Sequence, residues 1–298
     1  MLHDENPVGE LVHLYVDGAF GRRELIERVT KMTGSLAAAM LALGGFEELN
    51  AQATPVPPGV RVAENDPDIE ARDVTYSGLD SNLYGYLAMP RGLRDQQPGV
   101  IVIHENRGLV EHIRDVTRRV AKAGYVALGV DLLSRQGGTA QFTEATQQTQ
   151  AYNRTLPADR RADLIASLDY LKKQEMVIHD RIGVMGFCAG GGNTWDLIVN
   201  VTEFRAAVPF YGPLPAAADL GRLATPVLAI YAERDRNLTQ NMLNAAVTLS
   251  MQQKSYALRV YDGVGHAFHN DTGAAYNATA AAEAWGETLR FFGKNLRS

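Results

Sequence analysis

The stretch RIGVMGFCAGGG, Arg181 to Gly192, holds the only cysteine of a 298-residue chain. Within it, Gly186-Phe187-Cys188-Ala189-Gly190 has the spacing of a nucleophile elbow, with sulfur in place of the serine oxygen. The apolar run before Cys188 reads as a strand and GGGNTWDLIVN after it as a helix, so the turn between them must be sharp. Residues two before and two after the nucleophile must then be small enough for backbones to pass, and both are glycine. The Ala189 amide, at the helix N-terminus, would stabilise an oxyanion and favour thiolate over thiol. The competing reading is an inert buried thiol, because free cysteine is among the most buried residue types.

An elbow of this kind needs an acid and then a histidine, in that chain order. Asp235 in VLAIYAERDRNL follows a buried apolar run, where an acid can reach the active face; with Glu233, Arg234 and Arg236 beside it, it could equally be a solvated loop carboxylate. His266 in YALRVYDGVGHAFHN follows a turn shaped by Gly263 and Gly265. Its rival, His269, is better placed to begin a helix. Cys188, Asp235 and His266 are separated by 47 and 31 residues, enough for the intervening strands and helices.

Such a site needs strands whose carboxyl ends converge. GVIVIHE, YVALGVDLL, RIGVMGFC, AAVPFYG, PVLAIYAE and YALRVYDG are short apolar runs of the type buried in a parallel sheet. Between them lie helical stretches, including EHIRDVTRRVAKAG, DRRADLIASLDYLKKQ and NMLNAAVTLSMQQK; ARDVTYSG and NLYGYLAMP form an opening hairpin, and AAAEAWGETLRFFGKNL a closing helix. The alternation predicts an α/β fold, a doubly wound and mostly parallel sheet with helices on both faces.

From about Val74 onward the chain resembles the dienelactone hydrolase family of α/β-hydrolases. The resemblance is carried by GFCAGG, IVIHENRGL, VDLLSRQGGT, FYG at Tyr211, ERD and GHAFH, in that order. It implies Cys188 as nucleophile, His266 as base and Asp235 as the acid that orients it. It also implies that Glu105 pairs with the resting cysteine, which would guard an exposed thiol against oxidation. The plainer reading of Glu105 is a loop carboxylate paired with Arg107 or Arg114. The Asn106 amide occupies the place of the second oxyanion donor, and His104 reads as a satisfied core histidine. Arg135 matches an arginine that binds the substrate carboxylate, and Tyr211 either hydrogen-bonds substrate or packs. Four residues after His266, where the family has a second arginine, stands Asn270; Arg107 or Arg236 could substitute.

The expected organisation is a helical extension over 1–53, a linker over 54–73 containing Pro55, Pro57 and Pro58, and an α/β-hydrolase catalytic domain over 74–298. Arg22-Arg23, the apolar Leu36–Leu43 segment, Ala51 and Ala53 have the order of a twin-arginine export signal. Against that, Glu24 and Glu27 sit in the would-be basic region and 21 residues precede the arginine pair, so a packed amphipathic helix is preferred and a cytoplasmic location expected, with the periplasm as alternative.

A net charge of -5 without a basic run speaks against nucleic acid as partner, and no window is long and apolar enough for a membrane span. The partner expected is a small ester or lactone, with an anionic one in view, and room is left for a homo-oligomer. No zinc-ligand spacing and no Gly-rich dinucleotide loop is present, so no metal or cofactor is expected. The reading is a cysteine hydrolase working through an acyl-thioester. A general carboxylesterase or thioesterase, and a catalytically silent binding protein on the same fold, are the alternatives.

Overall fold

Alternating residues at the start of the domain pair as a hairpin in the computed structural model, with β1 (Ile69–Ser77) antiparallel to β2 (Asn82–Pro90) and Val74 opposite Gly85. The structure describes residues 62–298 and, ahead of them, Lys31 alone, so the expected extension over 1–53 lies otherwise outside the described residues. The apolar runs that follow become β3 (Gln97–Ile103), β4 (Val126–Asp131), β5 (Val177–Phe187), β6 (Ala206–Phe210), β7 (Val227–Ala232) and β8 (Tyr256–Tyr261). Sheet order is β1-β2-β4-β3-β5-β6-β7-β8, with β1 and β2 antiparallel and every pairing from β4 to β8 parallel.

Side chains alternate across the strands, so each strand feeds two cores. Ile101 and Ile103 face one layer with Leu164, Leu168 and Trp195, whereas Val100 and Val102 face the other with Ile113, Val116 and Phe292. Those partners come from α1 (Glu111–Lys122), α3 (Pro157–Lys172), α4 (Ala189–Asn200) and α6 (Ala278–Leu296). Helices thus cover both faces, and each fully buried aliphatic side chain contributes about 1.5–3 kcal/mol. β3 leads to β4 on one side and β5 leads away on the other, so the strand order reverses between β3 and β5. The carboxyl ends at such a reversal form a crevice, and Glu105 and Cys188 follow those two strands.

Two elements differ from the sequence expectation. Strand β1 begins at Ile69, inside the stretch read as linker, and Val62 is already fixed: its N–H donates to Asp115 Oδ1 at 2.7 Å, and Arg118 Nε donates to its carbonyl at 2.6 Å. Helix α2 (Ala145–Asn153) was not expected, because ATQQTQAYN is polar nearly throughout; a capping box of Glu144 and Gln147 starts it, and Ala151 and Tyr152 anchor it. Among the described residues no helix is long and apolar enough to cross a membrane.

Candidate active site

The turn after β5 is as tight as its glycines suggest. A Cβ on Gly186 would lie 2.3 Å from the Gly190 carbonyl oxygen, and one on Gly190 would lie 2.4 Å from those of Ile103 and His104. Only glycine lets the elbow press against the end of β3. Cys188 itself sits at φ 54 and ψ -116, held by its N–H donating to the Phe210 carbonyl at 3.1 Å. A non-glycine residue in such a region costs on the order of 1–3 kcal/mol. Tyr211 at φ 36 and Ala267 at φ 62 lie close by in the fold, so three of the four non-glycine residues with positive φ among those described gather here.

Asp235 follows β7 as the N-cap of α5 (Arg236–Met251), but its side chain makes no capping bond. Instead, His266 Nδ1 donates to Asp235 Oδ2 at 2.5 Å. The imidazole is also close enough to the Cys188 side chain to feel it. That contact, with Cys188's charge and Asp235 behind it, outweighs burial and pushes the pKa of His266 up to about 9. Cys188, Asp235 and His266, which follow three different strands, are therefore brought together.

The neighbouring histidines do other work. His269 is fully buried, its ring stacked on Phe187 at 5.0 Å between centroids, and burial holds its pKa well below the ordinary value. It begins no helix, since α6 starts at Ala278. His104 accepts from the Leu132 N–H at 3.0 Å and its Nδ1–H donates to the Glu105 carbonyl; burial lowers its pKa, as suits a neutral core histidine.

Glu105 is buried and has no ion pair with Arg107 or Arg114, the latter being bound to Asp73 at 2.5 Å. Its Oε2 accepts from Asn270 Nδ2 at 2.7 Å, while the buried Oε1 has no partner among the described residues. Asn270 Oδ1 in turn accepts from Thr272 N–H and Oγ1 at 3.0 and 2.7 Å. The asparagine in the place of an arginine thus clamps Glu105. Among the described residues no hydrogen bond joins Glu105 to Cys188. Glu105 and Cys188 do share surroundings, because the charges of both, after burial, raise the pKa of Tyr211. Among the described residues the buried Tyr211 hydroxyl has no hydrogen-bond partner, and its ring lies 5.0 Å from that of His266. Neither the Ala189 nor the Asn106 N–H donates a hydrogen bond within the described residues.

Arg135 is committed elsewhere. Its Nε and Nη2 donate to the buried Asp163 at 2.9 and 2.8 Å, and Nη1 reaches Asp80 at 2.7 Å. These hydrogen bonds raise its pKa further. The fork expected to meet a substrate carboxylate is closed on two protein carboxylates.

Two groups at the site had no signal in the sequence. Asn193, on the second turn of α4, donates from Nδ2 to the Tyr152 hydroxyl at 2.9 Å, and the Tyr152 ring meets that of His104 edge-on, 6.1 Å between centroids. Tyr152 belongs to the helix that went unread. The second group anchors the loop after His266: His112 Nδ1 donates to Asp271 at 2.8 Å, and Arg119 donates to the other carboxylate oxygen. Burial would raise the pKa of Asp271, but these two donors overcome it and hold the carboxyl well below the usual range.

The model of the dienelactone hydrolase family matches residues 83–296. The chain is similar to a Methylorubrum extorquens protein named "Putative carboxymethylenebutenolidase", 29% identical over 280 residues that cover 88% of this chain and 93% of the relative. It is also similar to a Bradyrhizobium protein named "Probable 2-oxo-3-(5-oxofuran-2-ylidene)propanoate lactonase", 35% identical over 220 residues, 68% of this chain and 86% of the relative. Among solved structures, a "Putative Dienelactone Hydrolase" from Klebsiella pneumoniae superposes with a TM-score of 0.70 at 27% identity, covering 76% of this chain and 99% of that one. The chain belongs to the dienelactone hydrolase family and is a carboxymethylenebutenolidase-like hydrolase of ester or lactone bonds on the α/β-hydrolase fold.

Proposed function

We propose that the chain hydrolyses its ester or lactone through Cys188 and an acyl-thioester. The observation that carries this reading is the hydrogen bond of His266 to Asp235, on an imidazole close enough to Cys188 for the sulfur to raise its pKa. His266 takes the proton of Cys188, and the sulfur attacks the substrate carbonyl carbon. The Ala189 and Asn106 amides, which have no acceptor among the described residues, receive the oxyanion. The imidazolium then gives its proton to the departing oxygen, leaving a thioester and an alcohol or ring-opened enol.

Acylation changes the base. Once sulfur is bonded to carbon, the contact that raises His266 most is gone, and its pKa falls toward the ordinary 6.5. The imidazole is then free to deprotonate water for the second step, with Asp235 fixing its tautomer. Glu105 is assigned to modulation of the sulfur through its unpartnered Oε1, and Tyr211 to a hydrogen bond with substrate. A carboxylate could engage Arg135 only by displacing Asp80, the exposed member of that cluster. That occupancy, with Asn270 in place of an arginine, favours a second reading in which neutral esters are accepted.

The test is hydrolysis of a dienelactone and of a neutral p-nitrophenyl ester by wild type and Cys188→Ala, with intact-mass detection of the acyl adduct. Cys188-dependent turnover and an adduct on wild type alone are expected. Turnover that survives in Cys188→Ala would overturn the thioester route, and a preference for the neutral ester would move the reading to a general esterase.

A further inference from the structure

A line of polar contacts runs from Val62, through α1, to the loop that carries His266 and Asn270. Val62 packs with Ile69, Ala88 and Ala121; its N–H donates to Asp115 Oδ1 at 2.7 Å, and its carbonyl accepts from Arg118 Nε at 2.6 Å. The other oxygen of Asp115 is ion-paired with Arg119 Nη2, and the same nitrogen donates to Asp271 Oδ2. His112 Nδ1 donates to Asp271 Oδ1 at 2.8 Å. Asp271 stands five residues after His266 and directly follows Asn270, whose Nδ2 donates to Glu105.

The two carboxylates compete for Arg119. Asp115 is fully buried and cannot turn to solvent, and its other cation, Arg118 Nη2, is 4.0 Å away. Burial pushes its carboxyl up, and Arg119, the Val62 N–H and Arg118 act against that in this order. Arg119 Nε is buried with no partner among the described residues, so a single nitrogen serves both Asp115 and Asp271. A buried carboxylate left short of donors is costly. Once the Val62 N–H is withdrawn, Asp115 therefore draws Arg119 toward itself, and Asp271 loses one of the two donors that fix its loop.

We propose that Asp115 is a positioning residue that couples the seating of Val62, through Arg119 and Asp271, to the loop of His266 and Asn270. Drawing the chain off at Val62 slows catalysis without touching a residue of the site, so whatever holds the 61 residues ahead of Val62 is felt at the base. The inference does not depend on which atom His266 activates.

Val62→Pro removes the N–H, whereas Asp115→Asn keeps an oxygen for Val62 and gives up the charge that competes for Arg119. Both, and the double variant, are made in the full chain. Val62→Gly, which loses the packing around Val62, loosens the same anchor and carries the same comparisons if the proline variant does not fold. In Val62→Pro, kcat for p-nitrophenyl acetate is expected to fall about tenfold with KM little changed, a size usual for coupling between sites. Deuterium is expected to reach the Asn270 and Thr272 amides, which donate to the Ala267 carbonyl and to Asn270 Oδ1, about tenfold sooner, while β7 stays as protected as in wild type. In the Asp115→Asn background, Val62→Pro is expected to change neither quantity, because Arg119 then stays with Asp271. A loss of kcat that Asp115→Asn does not erase, loop amides that do not respond, or exchange that quickens equally in β7 would overturn the proposal. Should wild type not turn over the ester, the exchange rates decide alone.

Discussion

The turn around Cys188 and the loop around His266 meet at one site but are built in opposite ways. The turn is fixed mainly by its own glycines and by the strand beside it. The loop is fixed by residues far away in the chain: Asp235 holds His266, Glu105 accepts from Asn270, and His112 and Arg119 hold Asp271. One half of the site depends on volume and the other on charge. They should therefore fail differently.

The largest effect should come from the link between the two halves. Asp235→Asn keeps the shape but disfavours the required tautomer of His266, so kcat should drop roughly 10³–10⁴-fold; a loss under tenfold would deny Asp235 its role. Removing the anchor should be next. Asp271→Ala leaves the buried His112 without its acceptor, while Arg119 keeps its pair with Asp115, at a cost of about 1–3 kcal/mol, readable as a fall in denaturant midpoint. Gly190→Ala tests the other half: its new Cβ must push back β3 carbonyls, costing about 1–3 kcal/mol, and the loss should be insensitive to pH. If Gly190→Ala proved milder than an exposed substitution, the elbow would be less rigid than its contacts suggest.

The smallest effect is a titration. In wild type, the His266 ring proton resonance should titrate near 9, and in Cys188→Ala it should move toward 6.5. The folded chain then holds a proton that the unfolded chain releases. Stabilisation from His266 is complete below about 6.5 and is lost as pH rises through about 9. Tm should accordingly fall between neutral and pH 10, and fall less in Cys188→Ala. Equal slopes in the two proteins would remove Cys188 as the cause.

The same contrast explains what could be read in the sequence. Strand β2 and helix α1 follow from apolar spacing, and the elbow from five consecutive residues. His266 was separable from His269 because glycines shape the turn that precedes it. The ion pairs of Arg135 were not legible because its two carboxylate partners, Asp80 and Asp163, are distant in sequence and nothing local marks them. Asn270 looked like a missing arginine, whereas its amide supplies a donor to Glu105. Helix α2 went unread because Tyr152 and Ala151 alone provide its buried face.

The carboxylate of Asp235 has one further consequence. An aspartate in that place would ordinarily hold the first free amides of its helix, but here it is turned away from α5 toward the imidazole. The amides of Asn237 and Leu238 are left for solvent to satisfy. Deuterium should enter the first turn of α5 well before the rest of that helix. The exchange clock there reports on the orientation of a single side chain, and it can be read with no substrate present.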